Sequence, residues 1–246
     1  TGPTTWAGST YFYEFDPSAN SWNTNAPSPT GGSSDSVYSY ETMMLELPTG
    51  NILYSHFGTD LYVYQPDGSP IPAGKPVISS LSWNANGSVH LTGTGFNGIS
   101  EGADYGDDFQ PHSNYPLVRI TSGGSVYYAT TFNWSSTGVA TGAMVVSTEF
   151  TVPPGLPPGN FSLVVVANGI ASDSIAFSGP VWVDFNYSGV QNGSYQNPYN
   201  TLAQGVSAVA SGGRIIIKST GSSSETMTIS KPMIITAAGG AGTVGH

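Results

Sequence analysis

The sequence predicts an all-β protein, and three observations carry that expectation. Gly and Pro, at 32 and 18 of 246 residues, punctuate the whole chain. Apolar stretches of about four to eight residues with strand-like alternation lie between them. A single segment, about Tyr199 to Ala210, has helical spacing, with Leu202, Val206 and Val209 on one face.

Composition shifts divide the chain into residues 1–74, 75–178 and 179–246. In the first segment, aromatic and aliphatic runs place strands at about Tyr11–Phe15, Met43–Leu47, Ile52–His56 and Leu61–Tyr64. Asp16-Pro17 and Pro48-Thr49-Gly50-Asn51 supply turns, and a Ser- and Gly-rich stretch, Pro27 to Ser36, is read as a polar loop. The second segment has about seven short strands over roughly 100 residues, the pattern of an immunoglobulin-like β-sandwich. Its expected core includes Leu117, Ile120, Phe150, Leu163 and Val165, and it is expected to fold alone. Pro157-Pro158-Gly159 leads into a buried strand at Phe161–Val166, and Gly93, Gly95 and Gly98 permit a tight corner. The third segment combines the helical stretch with short apolar runs at Ile215–Ile217 and Met233–Thr236.

Particular motifs resemble known families. YFYEFDPSANSW resembles the outer part of a kelch blade, and MMLELPTGNILYS followed by LYVYQPDG resembles the closing blade of galactose-oxidase-type propellers. The pieces KPVISSLS, LTGTGF, YPLVR and PPGNFSLVVVANG resemble the sandwich that follows the propeller in that family. VDFNYSGVQNGSYQNPY, the helical stretch, GGRIIIK and TISKPMIIT resemble the cap and first coil of right-handed parallel β-helices of the pectate-lyase-like kind. The resemblance implies a partial blade, a sandwich and the start of a β-helix. One blade cannot close a propeller and one coil cannot bury a solenoid core. Both ends are therefore expected to pair with other polypeptide, either more of a longer parent protein or further copies of the chain.

Charge narrows the function classes. Charged residues make up 8% of the chain, and 15 acids against 5 bases give a formal net charge of -10. No basic face for phosphate can be assembled, which excludes nucleic acid and opposes anionic membranes. No apolar run has the ~18 residues of a membrane span. With 38% hydrophobic residues the chain can build cores, so disorder is not expected. The surface is neutral and polar and cysteine is absent, compatible with a secreted or bacterial cell-surface protein. Asn-x-Ser triplets at Asn86, Asn133, Asn160, Asn186 and Asn192 are about as frequent as chance gives in a chain this rich in Ser and Asn.

Chemistry-bearing groups are few. Glu101, Asp104, Asp107 and Asp108 crowd one loop, EGADYGDD. They either cap turns or supply oxygens to calcium, the one candidate ion, with His112 beside them. His56, His90, His112 and His246 form no metal-binding spacing. In the galactose-oxidase family, a copper centre uses a Tyr crosslinked to Cys and a His shortly after the YPLVR strand. Here cysteine is absent and that place reads Gly124-Ser125-Val126-Tyr127-Tyr128, so the resemblance implies fold without oxidase activity. No G-x-S-x-G elbow is present. Asp184 and Glu225 are the only acids of the third segment, and sequence alone does not converge them. Trp6, Trp22, Trp83, Trp134 and Trp182 serve either as core residues or as a sugar-stacking surface. The expected function is therefore non-catalytic: a structural module of an extracellular protein, assembling through open β edges. The alternative is a carbohydrate-binding or carbohydrate-degrading protein whose active part lies outside this sequence.

Overall fold

A computed structural model describes residues 8–16, 18–100 and 115–245. The chain is all-β, with one short helix, α1 (Leu202–Ala208). It forms two compact units. The first holds residues up to Pro72 with Ser100 and Asn168–Ile170; the second holds Ala73–Ile99 and residues 115–167 and 171–245.

In the first unit, β1 (Phe12–Asp16) and β2 (Ser21–Ala26) form an antiparallel hairpin. The Asp16 carboxylate organises its turn by accepting from the Ser18 and Ala19 amides and the Ser18 hydroxyl, and Asn20 takes a positive φ of 47°. Sequence reading missed β2. Its sequence, SWNTNA, is exposed at every position but the last, so no apolar alternation marks it; pairing with β1 makes it a strand. β3 (Thr42–Glu46), β4 (Ile52–His56) and β5 (Leu61–Tyr64) form an antiparallel sheet. Tyr54 pairs with Met44 and Tyr62, is fully buried, and packs with Phe12 and Ala26 from the hairpin. Alternation sends Met43, Leu45, Leu61 and Val63 to the opposite face, where all four are exposed.

The second unit contains β6 (Val77–Trp83), β7 (Val89–Thr94), β8 (Leu117–Ser122), β9 (Ser125–Phe132), β10 (Val146–Phe150), β11 (Gly159–Ala167), Ala171 of β12 (Ile170–Ala171) and β13 (Ile175–Gly179). They form one sheet in the order β12-β11-β8-β9-β10-β7-β6, with β13 also on β11. The sheet curls until its ends meet. Trp83 of β6 stacks on Phe177 of β13 with ring centroids 5.9 Å apart, and Phe150 of β10 lies 6.1 Å from the same ring. Phe150, Ile120, Leu163 and Val165 are fully buried, as expected. Leu117 is only half-buried. Leu117 and Ile120 differ by an odd number of positions, so one strand cannot point both inward; Val118 and Ile120 face the core instead.

The last segment packs into this same unit. β14 (Val181–Val183), β15 (Arg214–Ile217) and β17 (Ile234–Ala237) run parallel, as do β16 (Gly221–Ser223) and β18 (Gly242–Val244). Val181, Ile215 and Ile235 stack in register. Leu202 of α1 and Val209 just after it join Val181, Val183 and Ile215 in a separate core cluster. The helix is shorter than its apolar spacing suggests because Val209 is already extended, at φ -68° and ψ 137°, and Gly212 and Gly213 follow. Trp182 and Ile216 point the other way, toward the β6–β7 turn. A Cβ on Gly87 would meet them at 3.6 and 3.7 Å. Arg214 lies 5.2 Å from the centre of the Trp83 ring. Among the described residues no helix is long and apolar enough to cross a membrane.

Two glycines of the curled sheet test this packing. A Cβ on Gly93 would sit 2.0 Å from the Val77 carbonyl oxygen and 2.6 Å from the Phe96 ring. Backbone cannot yield there, so Gly93→Ala is expected to cost about 3 kcal/mol. Gly123 has φ 55° in open space, and Gly123→Ala should cost only about 1 kcal/mol. Urea unfolding of the full chain measures both; equal losses would contradict the close approach of β6 and β7.

Candidate functional site

A cluster of titratable side chains surrounds Asp35 in the first unit. Asp35 exchanges two backbone hydrogen bonds with Thr10, at 2.8 and 2.9 Å, and its side chain is 6% exposed. Its Oδ2 accepts from the Tyr54 hydroxyl at 2.8 Å and lies 2.6 Å from His56 Nδ1. Tyr54 and His56 are two residues apart on β4, so the strand presents both to the same carboxylate. The Tyr62 ring meets His56 edge-on at 5.4 Å.

The electrostatics follow from these contacts. Burial pushes the Asp35 carboxyl upward, but hydrogen bonds from Tyr54 and His56, with the His56 charge, outweigh it and hold the group below its ordinary range. Burial and the neighbouring carboxylate push the Tyr54 hydroxyl upward. His56 turns Nδ1 toward this carboxylate. This is the inner half of a general-base arrangement. Among the described residues no hydroxyl hydrogen-bonds to Nε2, and what the contacts accomplish is to tie Asp35 to β4. Sequence reading missed this cluster, because Asp35 lies 19 and 21 positions from its partners. The signal available was the i, i+2 pair of Tyr54 and His56.

Among the described residues, those singled out from sequence do not meet in one place. Glu101, Asp104, Asp107 and Asp108, the calcium candidates, lie outside the described residues, as do His112, His246 and Trp6. His90 Nδ1 lies 3.9 Å from Glu149 Oε1. Asp184 accepts from the Ser219 hydroxyl at 2.6 Å and the Asn186 amide at 3.1 Å. Glu225 caps α1, accepting from Leu202 N at 2.7 Å and Ala203 N at 3.1 Å, and takes the Ser223 hydroxyl as well. Although burial opposes it, these bonds hold the Glu225 carboxyl below its ordinary range. The two carboxylates share none of these partners, and each organises its own turn. The position expected for a copper histidine is the turn between β8 and β9, where Gly123 and Gly124 take positive φ and Ser122 pairs with Ser125.

The tryptophans separate by environment. Trp83 stacks in the core and Trp182 is 5% exposed. Trp134 stacks on Tyr115 at 5.2 Å and donates Nε1 to the Thr131 hydroxyl. Trp22 is 64% exposed beside Phe15. Compared with known proteins, the chain matches no family model, no curated protein and no solved structure.

A carboxyl held below its ordinary range adds stability that is fully present above about pH 4 and is lost as the pH falls through its folded value. Asp35→Asn is therefore expected to lower stability by about 2 kcal/mol near neutrality and by progressively less toward pH 3. Thermal melts of both proteins across that range measure the gap. A gap independent of pH would mean that Asp35 does not act through its charge.

Proposed function

We propose that the chain is a non-catalytic structural module of a secreted or cell-surface protein, and that it assembles through open β edges into a larger extracellular structure. The observation that carries this reading is the burial along one apolar ladder. Val181, Ile215 and Ile235 stack rung on rung and are 1%, 0% and 38% exposed. Each earlier rung is covered by the next. Among the described residues nothing pairs with the second edge of β17 or of β18, and Ile234 and Val244 are exposed beside it.

An open edge presents unpaired N–H and C=O groups, which charge ordinarily shields from pairing. Residues 233–245 contain no Asp, Glu, Lys or Arg. The partner that fits is a parallel strand carrying an apolar side chain over Ile235, supplied by a further coil of a parent protein or by another copy. In this reading the curled sheet is an immunoglobulin-like sandwich, the first unit a kelch-type blade, and the parallel rungs the first coils of a β-helix.

Sedimentation velocity of the full chain over a wide concentration range, with hydrogen exchange of β17 and β18, tests the proposal. Association that grows with concentration and is lost in Ile235→Lys is the expected result. A monomer whose edge amides exchange freely would assign the partner to the parent protein. A monodisperse monomer with protected amides at both strands would overturn the reading.

A further inference from the structure

The β1–β2 hairpin presents two chemically different faces. Phe12 and Glu14 point inward: Phe12 is 9% exposed and packs on Tyr54, and Glu14 accepts from the Tyr64 hydroxyl and from Asn23 Nδ2. Alternation sends Tyr11, Tyr13 and Phe15 outward, at 59%, 57% and 46% exposure. Trp22 sits opposite Phe15 in the register. It is 64% exposed, with ring centroids 5.0 Å apart and planes tilted by 48°. Alternate strand positions are spaced about 7 Å apart, so the rings form a row along the hairpin. Together they leave roughly 400 Å² of ring surface in water, the size of a functional patch on a typical protein.

The surroundings narrow what covers this row. Asn20 at the turn and Thr24, on the parity of Trp22, lie beside it, exposed and uncharged, and the exposed Asp16 carboxylate next to Phe15 is taken up by Ser18 and Ala19. Residues 1–74 contain no Lys or Arg, so a polyanion finds no counter-charge on this stretch of chain. A packed protein sheet is also a poor match, and the same unit shows the contrast. The exposed face of the β3–β5 sheet is aliphatic, built from Met43, Leu45, Leu61 and Val63, as interdigitating sheets require. The hairpin face is aromatic with an amide and hydroxyl rim. Electron-rich ring faces meet the C–H faces of pyranose rings, and rim amides meet sugar hydroxyls.

We infer that Tyr11, Tyr13, Phe15 and Trp22 form a stacking face for a neutral polysaccharide. This goes beyond the structural role proposed above and stands independently of the β17 edge. The face binds and orients a glycan chain without cleaving it.

The test uses the full chain with microcrystalline cellulose, chitin and a soluble mixed-linkage β-glucan as probes, by pull-down and affinity electrophoresis. Retention on at least one probe is expected, with Trp22→Ala and Tyr13→Ala each weakening it about tenfold. Trp22→Tyr should largely retain binding, whereas Trp22→Leu, which is apolar but cannot stack, should lose it. Thermal melts of these variants should match the wild type, because the side chains are exposed. Absence of retention on all three probes would overturn the proposal, as would equal binding by Trp22→Leu. A change of oligomeric state in Trp22→Ala without glycan would also overturn it, assigning the face to a second copy.

Discussion

A curled antiparallel sheet holds a core only if its two ends meet, and here they meet on Phe177. That ring is 3% exposed, with Trp83 from one end of the sheet stacked on it and Phe150 beside it. Fully burying such a ring is worth on the order of 3 kcal/mol, so Phe177 and Phe150, with the half-buried Trp83, are a large part of any marginal net stability. The consequences continue along the chain. With Trp83 fixed, Arg214 at the start of β15 finds its ring face, and the β6–β7 turn at Gly87 leaves room for Trp182 and Ile216. The parallel rungs therefore sit on a surface that exists only when the sheet has closed.

Scarcity of charge is the second constraint. With 8% charged residues, the chain cannot rely on surface ion pairs, and such pairs contribute little in any case. Lys75 and Asp173 form one at 2.6 Å, with the Asp almost fully exposed. Charges are used instead against backbone. Glu225 closes the N-terminus of α1, and Lys231 donates to the Val209 and Ser207 carbonyls at its other end, so the two charges match the helix dipole from both sides. Lys218 donates to the Tyr195 carbonyl and lies 4.1 Å from the centre of that ring. Glu14 holds the Tyr64 hydroxyl, which burial and that carboxylate push up to about 12. Charges spent on internal organisation leave a neutral exterior, on which exposed aromatics and open strand edges meet little electrostatic resistance.

Sequence legibility followed the source of each feature's stability. β4 and β5 were placed to the residue, because their alternation is set by their own side chains and bounded by turn residues. β2 was illegible: its five leading residues bury nothing, and only a partner strand makes it extended. Leu117 was placed in the core because it is apolar, although strand parity with Ile120 forbids it. The third segment read as short apolar runs, and the runs became parallel rungs at Arg214–Ile217 and Ile234–Ala237. The Asp35 cluster was invisible because a carboxylate in a Ser-rich loop carries no local sign of a buried Tyr and His from a distant strand. The candidate site was thus less legible than the fold, since it rests on contacts between segments rather than on patterns within them.

The two open surfaces obey different physics. A Cβ on Gly239, in the turn after β17, would lie 1.9 Å from the Lys218 carbonyl oxygen, so that turn admits no side chain, and one on Gly242 of β18 would crowd the Ile217 side chain at 3.0 Å. A strand docking on β17 inherits that geometry. A slip of one residue would turn its apolar side chains outward, so the proposed edge selects its partner by register. The aromatic row imposes no such register. Every pyranose offers a C–H face, so under the proposed stacking a chain would slide along Tyr11, Tyr13 and Phe15 and remain bound. Joining neighbours by register and meeting polysaccharide by stacking, the module proposed above would hold a fixed place in an assembly while adapting to an irregular matrix.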